Sequence, residues 1–182
     1  VRAEDAAAEF GQLPIEFTFR ASTVEDVRRE ARAMKGIELL IVDYIQILQT
    51  ASTYPSDNSR VAHISRTLKE IALDLQIPVL ALSQFSRPPK GVTKRPQVSD
   101  LRDSGSIEQD ADCIWLMWQP QHDDDPDIPP QYAGWHKTAD TWEDRFLLLD
   151  VAKNRMGRRG TIGICFDPKR MKFYSPQTEG YK

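Results

Sequence analysis

Apolar residues along this chain come in short blocks separated by polar, Pro-bearing stretches, and the spacing inside each block predicts an alternation of strands and helices. Residues 1–13 form an Ala- and acid-rich lead-in, and Ile15 to Phe19 alternates as a short strand does. Ser22 and Glu25 have the spacing of a capping box, after which Val24, Val27, Ala31 and Met34 recur at helical intervals until Gly36. Leu39 to Val42 is a β-branched-rich block too short for a helix, so it reads as a strand buried on both faces, as in a parallel sheet. After a polar loop ending at the Asp57-Asn58 helix-start signal, Val61, Ile64, Leu68, Ile71 and Leu75 mark one face of an amphipathic helix of about 17 residues. Pro78 to Leu82 predicts a third buried strand, closed by Ser83-Gln84.

The second half is less regular. Phe85 to Ser99 is Pro- and base-rich and reads as a mobile surface loop, and Asp100 to Asp112 is polar with a helical turn. Cys113 to Trp118, Phe146 to Ala152, Gly160 to Phe166 and Met171 to Tyr174 read as strands, the last two joined as a hairpin at Asp167-Pro168. Residues 119–144 form an acidic insertion carrying Pro120, Pro126, Pro129 and Pro130. Strand, helix, strand in succession is the unit of a parallel α/β sheet, so the fold class is α/β, mostly parallel, with a C-terminal antiparallel hairpin.

Composition adds bounds. A chain of 182 residues, 40% apolar and 28% charged, suits one globular domain, burying about 70% of its unfolded surface. No apolar run reaches the roughly 18 residues of a membrane span and no signal peptide opens the chain. Cys113 and Cys165 each lie in an apolar run and are expected as buried thiols of a reducing cytosol. Because the chain opens on Val1, it is expected to be a fragment of a longer polypeptide.

The net charge of −3 does not advertise nucleic-acid binding, but its distribution allows an anion to be bound locally while the chain stays acidic overall. Arg87, Lys90, Lys94, Arg95 and Arg102 face only Asp100 in one stretch, and seven bases from Lys153 to Lys172 face only Asp167. The insertion between them is acidic, so the charge is segregated along the chain.

Two strand ends carry candidate chemistry. Asp43 follows the central apolar block, where open α/β sheets bind ligands; its carboxylate either holds a metal, directly or through water, or caps the next turn. Ser83-Gln84 places two polar side chains at the corresponding edge of the next strand. His63 falls off its helix's apolar face and reads as a solvated residue, and the spacing of His122 and His136 matches no metal pattern.

Taken in order, Leu40-Ile-Val-Asp-Tyr-Ile-Gln-Ile-Leu48, Pro78-Val-Leu-Ala-Leu-Ser-Gln84, Asp100-Leu-Arg-Asp-Ser-Gly-Ser-Ile-Glu-Gln-Asp-Ala-Asp112 and Lys153-Asn-Arg-Met-Gly157 resemble the C-terminal RecA-like motor domain of the DnaB family of replicative helicases, from about Ile15 to Tyr174. The resemblance implies a RecA-like P-loop NTPase core, with ATP and Mg2+ as cofactors. It makes Asp43 the Walker B aspartate that orients magnesium and Gln84 the sensor that contacts the terminal phosphate. It places Arg102, Asp103 and Gly105 on the loop that grips single-stranded DNA, with Asp103 standing where the family usually has glutamate. Lys153 and Arg155 become the basic pair offered to a neighbouring subunit's ATP, the arginine-finger role. From the residues alone, Gln84 is equally a turn residue, and Lys153 and Arg155 a solvated basic face.

The nine glycines include no Gly-x-x-x-x-Gly-Lys-[Ser/Thr] arrangement. By the resemblance that cradle and the catalytic glutamate lie upstream, so the isolated chain is expected to hydrolyse ATP negligibly while its parent is a cytoplasmic hexameric ATPase. Single-stranded DNA, further copies of the chain and a helicase loader or primase are the expected partners, with no membrane. Alternatives are a noncatalytic RecA-like assembly or DNA-binding module and a recombinase- or clock-type relative of the same core.

Overall fold

The computed structural model describes residues 11–86, 95–102, 104–120, 128–132 and 145–175. Helix α1 spans Val24–Ala33, β1 Leu40–Val42, α2 Asp57–Leu75, β2 Val79–Ala81, α3 Ser104–Asp110, β3 Cys113–Trp118, β4 Arg145–Asn154, β5 Gly160–Asp167 and β6 Lys172–Tyr174. Single 3-10 turns lie at Ile45–Ile47, Val98–Asp100 and Pro130–Tyr132.

Helix α1 starts one residue later than the spacing suggests. Thr23, not Ser22, is the N-cap, and Asp26, not Glu25, closes the capping box. Glu25 is used elsewhere: it accepts a hydrogen bond from the Ala51 N–H at 3.1 Å and pairs with His63 Nε2 at 2.9 Å. His63 also stacks on Tyr54, with ring centroids 5.1 Å apart. It is therefore a half-buried strut between α1, α2 and the intervening loop, rather than a solvated residue. In α2, Ser56 caps the start, and the predicted face is the one that packs: Val61, Ile64, Leu68 and Ile71 are buried. They join Val24, Val27 and Ala31 of α1, Val42 of β1 and Ile45 and Leu48 after it in one core.

β1 and β2 pair in parallel, with Leu40 opposite Val79 and Val42 opposite Ala81. Only one face of this pair is covered by the two helices. Val42 is buried, whereas Leu39, Ile41, Leu80 and Leu82 are between 38% and 57% exposed, so the expectation of burial on both faces does not hold among the described residues. The reason is that α1 and α2 lie on the same side. Ile15 to Phe19 does not form the expected strand: it joins no sheet among the described residues, and Phe19 is 93% exposed.

The C-terminal half is a four-stranded antiparallel sheet in the order β3-β4-β5-β6, of which the expected hairpin is the last pair. Its inner face carries two small cores, Leu101 with Ile114 and Leu116, and Phe146 with Leu148 and Cys165. Cys165 is buried as expected. Cys113 is exposed, because it begins β3 on the sheet's outer face. From the insertion, Tyr132 reaches back onto Phe146, with ring centroids 5.8 Å apart. His122, His136 and all of the insertion's acidic residues lie outside the described residues, as do Arg87, Lys90 and Lys94 of the first basic stretch.

One polar group is set into this sheet. Asp150 of β4 is 4% exposed and accepts from Arg95 Nε at 2.8 Å and Nη2 at 2.6 Å, from Trp118 Nε1 at 2.9 Å and from Thr161 Oγ1 at 2.7 Å. Burial pushes its carboxyl pKa up, but these bonds outweigh burial and hold it below the usual carboxylate value. Arg95 is thus spent on a buried anion, and the chain entering the Val98–Asp100 turn is anchored to β4.

Candidate functional site

The parallel register brings two of the predicted residues to one edge. Asp43 directly follows β1, and Ser83-Gln84 lies just past β2. The edges are tied by main-chain bonds, the Leu82 N–H donating to Val42 O at 2.9 Å and the Ile45 N–H to Leu82 O at 3.0 Å. Gln46 adds a side-chain bridge: its Nε2 donates to Ser83 Oγ at 2.8 Å, and its Oε1 accepts the Gln84 N–H at 3.4 Å. Asp43 is exposed beside this bridge. Among the described residues no three His, Cys, Asp or Glu side chains converge on a metal position. A lone exposed carboxylate fits Mg2+, which keeps several waters and takes one or two carboxylates together with phosphate oxygens; it does not fit an all-protein cage.

The same edge continues into the segment that carries Arg102. Phe85 pairs antiparallel with Leu101, the Ser86 N–H donates to Asp100 O at 2.7 Å, and the Arg102 N–H donates to Gln84 O at 3.2 Å. Gln84 and Arg102 are therefore direct main-chain neighbours. Arg102 is exposed, and its Nη2 lies 3.4 Å from Asp57 Oδ2. Asp103 lies outside the described residues. Gly105 is exposed in α3, and a Cβ added there would meet nothing within 4 Å. Among the described residues nothing packed against it calls for glycine.

Lys153 lies near the end of β4 and Arg155 directly follows it, on the far side of α3. Lys153 Nζ donates to Glu108 O, Arg155 Nη2 to Gln109 O at 2.6 Å, and Arg155 Nη1 to Asp112 Oδ1 at 3.2 Å. They are not a free solvated face: both reach the last turn of α3, where helix carbonyls lack intrahelical donors. Asn154 between them shapes the turn that follows. Its Oδ1 accepts the Met156 N–H at 3.2 Å, and its Nδ2 donates to Arg158 O at 3.2 Å. The seven-residue helix α3 thus separates Arg102 from the Lys153/Arg155 pair, and the whole set falls into two groups, Asp43 with Gln84 and Arg102, and Lys153 with Arg155.

Sequence reasoning did not single out Gln46, Asp112 or the Arg95–Asp150 pair. Gln46 and Asp112 were visible only as members of longer matching blocks, and no local pattern links Arg95 to a residue 55 positions away.

Comparison with known proteins matches residues 2–175 to the family described as DnaB-like helicase C terminal domain. A replicative DNA helicase DnaB from Rickettsia bellii is 35% identical over 173 residues, covering 87% of this chain and 34% of the relative. A replicative DNA helicase DnaC from Bacillus subtilis is 36% identical, covering 82% of this chain and 31% of the relative. The chain thus spans about a third of the length of these relatives. A solved structure of a DnaB-like replicative helicase, described with its interactions with primase, superposes with a TM-score of 0.76 at 29% identity, covering 96% of this chain and 41% of that one. A second solved structure, of an ATPase domain, gives 0.76 at 28% identity, covering 96% and 59%.

Proposed function

The chain belongs to the family of DnaB-like helicase C-terminal domains, and from that premise we propose that it is the part of a hexameric, ATP-driven replicative helicase motor that senses nucleotide and holds single-stranded DNA. The observation that carries this reading is the main-chain pairing of Gln84–Ser86 with Asp100–Arg102, which joins the strand edge bearing Asp43 to the segment bearing Arg102. A change at the nucleotide edge then moves the DNA segment without any intermediate element.

In this reading Asp43 would hold Mg2+, directly or through water, and the bound ion would supply charge neutralisation for the nucleotide phosphates. Gln84 presents its amide toward the terminal phosphate while its carbonyl fixes Arg102. Arg102, Asp103 and Gly105 form the DNA contact: the Arg102 guanidinium supplies a charge-assisted bond to a phosphate, and Gly105 allows close backbone approach. Lys153 and Arg155 are offered across a subunit boundary to a neighbour's ATP. The phosphate cradle, absent from these 182 residues, is supplied by other residues of the parent protein, which acts in the cytoplasm; a loader or primase is its further partner. The isolated chain then binds ATP poorly and turns it over negligibly.

The test is fluorescence anisotropy with a labelled single-stranded oligonucleotide at low and moderate salt, on the chain and on Arg102→Ala, with ATPase measured on the same samples. Salt-sensitive binding that drops with Arg102→Ala, with ATPase at background, supports the reading. A folded chain that binds no DNA would instead favour a noncatalytic assembly module.

A further inference from the structure

We propose that Asp112 is the positioning residue for Arg155, setting the orientation in which its guanidinium is offered across the subunit boundary; the proposal rests on the finger role given to Arg155 above. Asp112 stands between α3 and β3 and holds Arg155 at two levels. Its carbonyl accepts the Arg155 N–H at 2.9 Å, fixing where the end of β4 runs. Its carboxylate Oδ1 accepts from Arg155 Nη1 at 3.2 Å, while Gln109 O accepts from Nη2 at 2.6 Å.

Two acceptors on the two terminal nitrogens determine the plane of a guanidinium, whereas one acceptor leaves it free to swing. The N–H groups beyond those two bonds are then presented in a fixed direction. A donor that must meet a developing phosphate charge gains from such preorganisation, because its orientation is settled before the ligand arrives.

Asp112 is itself held. Its Oδ2 accepts from Lys69 of α2, and that bond, with the neighbouring Lys69 and Arg155 charges, outweighs the opposing burial and keeps the carboxyl below the usual carboxylate range. Asp112 therefore stays ionised at neutral pH, and α2, α3 and β4 meet at one carboxylate. Its position also has a consequence for coupling. Helix α3 follows Arg102 and contains Gly105 at one end, and at the other its carbonyls Glu108 O and Gln109 O take Lys153 and Arg155. A displacement of the DNA-facing end is transmitted along seven residues to the group that Asp112 orients.

The experiment is steady-state ATPase of the full-length protein with and without single-stranded DNA, for Arg155→Ala, Asp112→Asn, Lys69→Met and the double variant Asp112→Asn/Arg155→Ala. Each variant is checked for assembly by sizing and for folding by thermal melting. Asp112→Asn keeps the carbonyl bond and the side-chain shape but removes the charge. We expect it to lower kcat about tenfold or more with the KM for ATP within about twofold, as for loss of orientation rather than of binding. Lys69→Met should lower kcat less than Asp112→Asn does, because the Asp112 carboxylate and its bonds to Arg155 remain, and Asp112→Asn should add nothing to Arg155→Ala.

Equal losses in Asp112→Asn and Lys69→Met would make Asp112 a packing strut and overturn the proposal, as would additive losses in the double variant. A large loss in Arg155→Ala with none in Asp112→Asn overturns the positioning role alone. An unchanged kcat in Arg155→Ala overturns the finger reading, and this proposal with it.

Discussion

The Arg102 N–H donates to Gln84 O at 3.2 Å, so the residue proposed to sense nucleotide and the residue proposed to hold DNA share a main-chain hydrogen bond. Because Gln84 uses its carbonyl in that bond, Gln84→Ala removes the amide and leaves the pairing in place. In the full-length protein the variant is expected to hold single-stranded DNA within about threefold of the parent while losing most DNA-stimulated ATP hydrolysis, a kcat effect of about a hundredfold. Anisotropy and ATPase on one preparation check this; parallel loss of both would mean that the amide places the loop instead.

In the proposed reading Asp57 competes with DNA for Arg102. Its carboxylate lies 3.4 Å from the guanidinium, and both side chains are more than half exposed. An exposed pair of this kind is worth about 0–1 kcal/mol, so Asp57→Asn should tighten single-stranded DNA binding by no more than about fivefold, and the gain should shrink as salt rises. Weaker binding in Asp57→Asn would show that Asp57 orients Arg102 rather than competing for it.

Stability should fall in acid through Asp150. Its folded-state pKa lies below the ordinary value of 3.8, so the unfolded chain takes up the proton first as pH falls. The contribution is fully present well above 3.8 and is lost as pH drops through the lower folded value. Asp150→Asn leaves Arg95 without its buried anion and is expected to cost about 1–3 kcal/mol at pH 7. The gap between the two urea midpoints should narrow as pH falls from 7 to 3; a constant gap would assign the effect to packing.

Tyr132 sits where Gly163 has no side chain. A Cβ on Gly163 would come within 2.7 Å of the Tyr132 ring, so Gly163→Ala forces the ring off β5. The expected cost is about 1–3 kcal/mol from overpacking. In a Tyr132→Ala background the same change should cost little, since the clashing atoms are gone. A double-mutant cycle by chemical denaturation measures this, and an undiminished cost would place the strain in β5 itself.

Local chemistry was readable where period and end signals act over a few residues. The α2 face of Val61, Ile64, Leu68 and Ile71, the strand edge at Asp43, the β5–β6 hairpin and the order of the matching blocks all follow from short-range pattern, because a helix or strand face is determined by spacing along the chain. Family and RecA-like fold class were legible for the same reason. Burial was not. Ile41 and Leu80 are as apolar as Val42, yet they face outward because both helices pack on one side of the pair, a fact of layer arrangement that no window of sequence contains. Distant pairing was equally hidden: Arg95 with Asp150, Lys69 with Asp112 and Arg102 beside Gln84 are contacts between side chains or strands brought together only when the layers close. Charge along the chain suggested two basic patches. Folding spends Arg95 on a buried aspartate, because a charge near the interior must find a partner there whatever its neighbours in sequence, and it sets Lys153 and Arg155 on exposed carbonyls of α3.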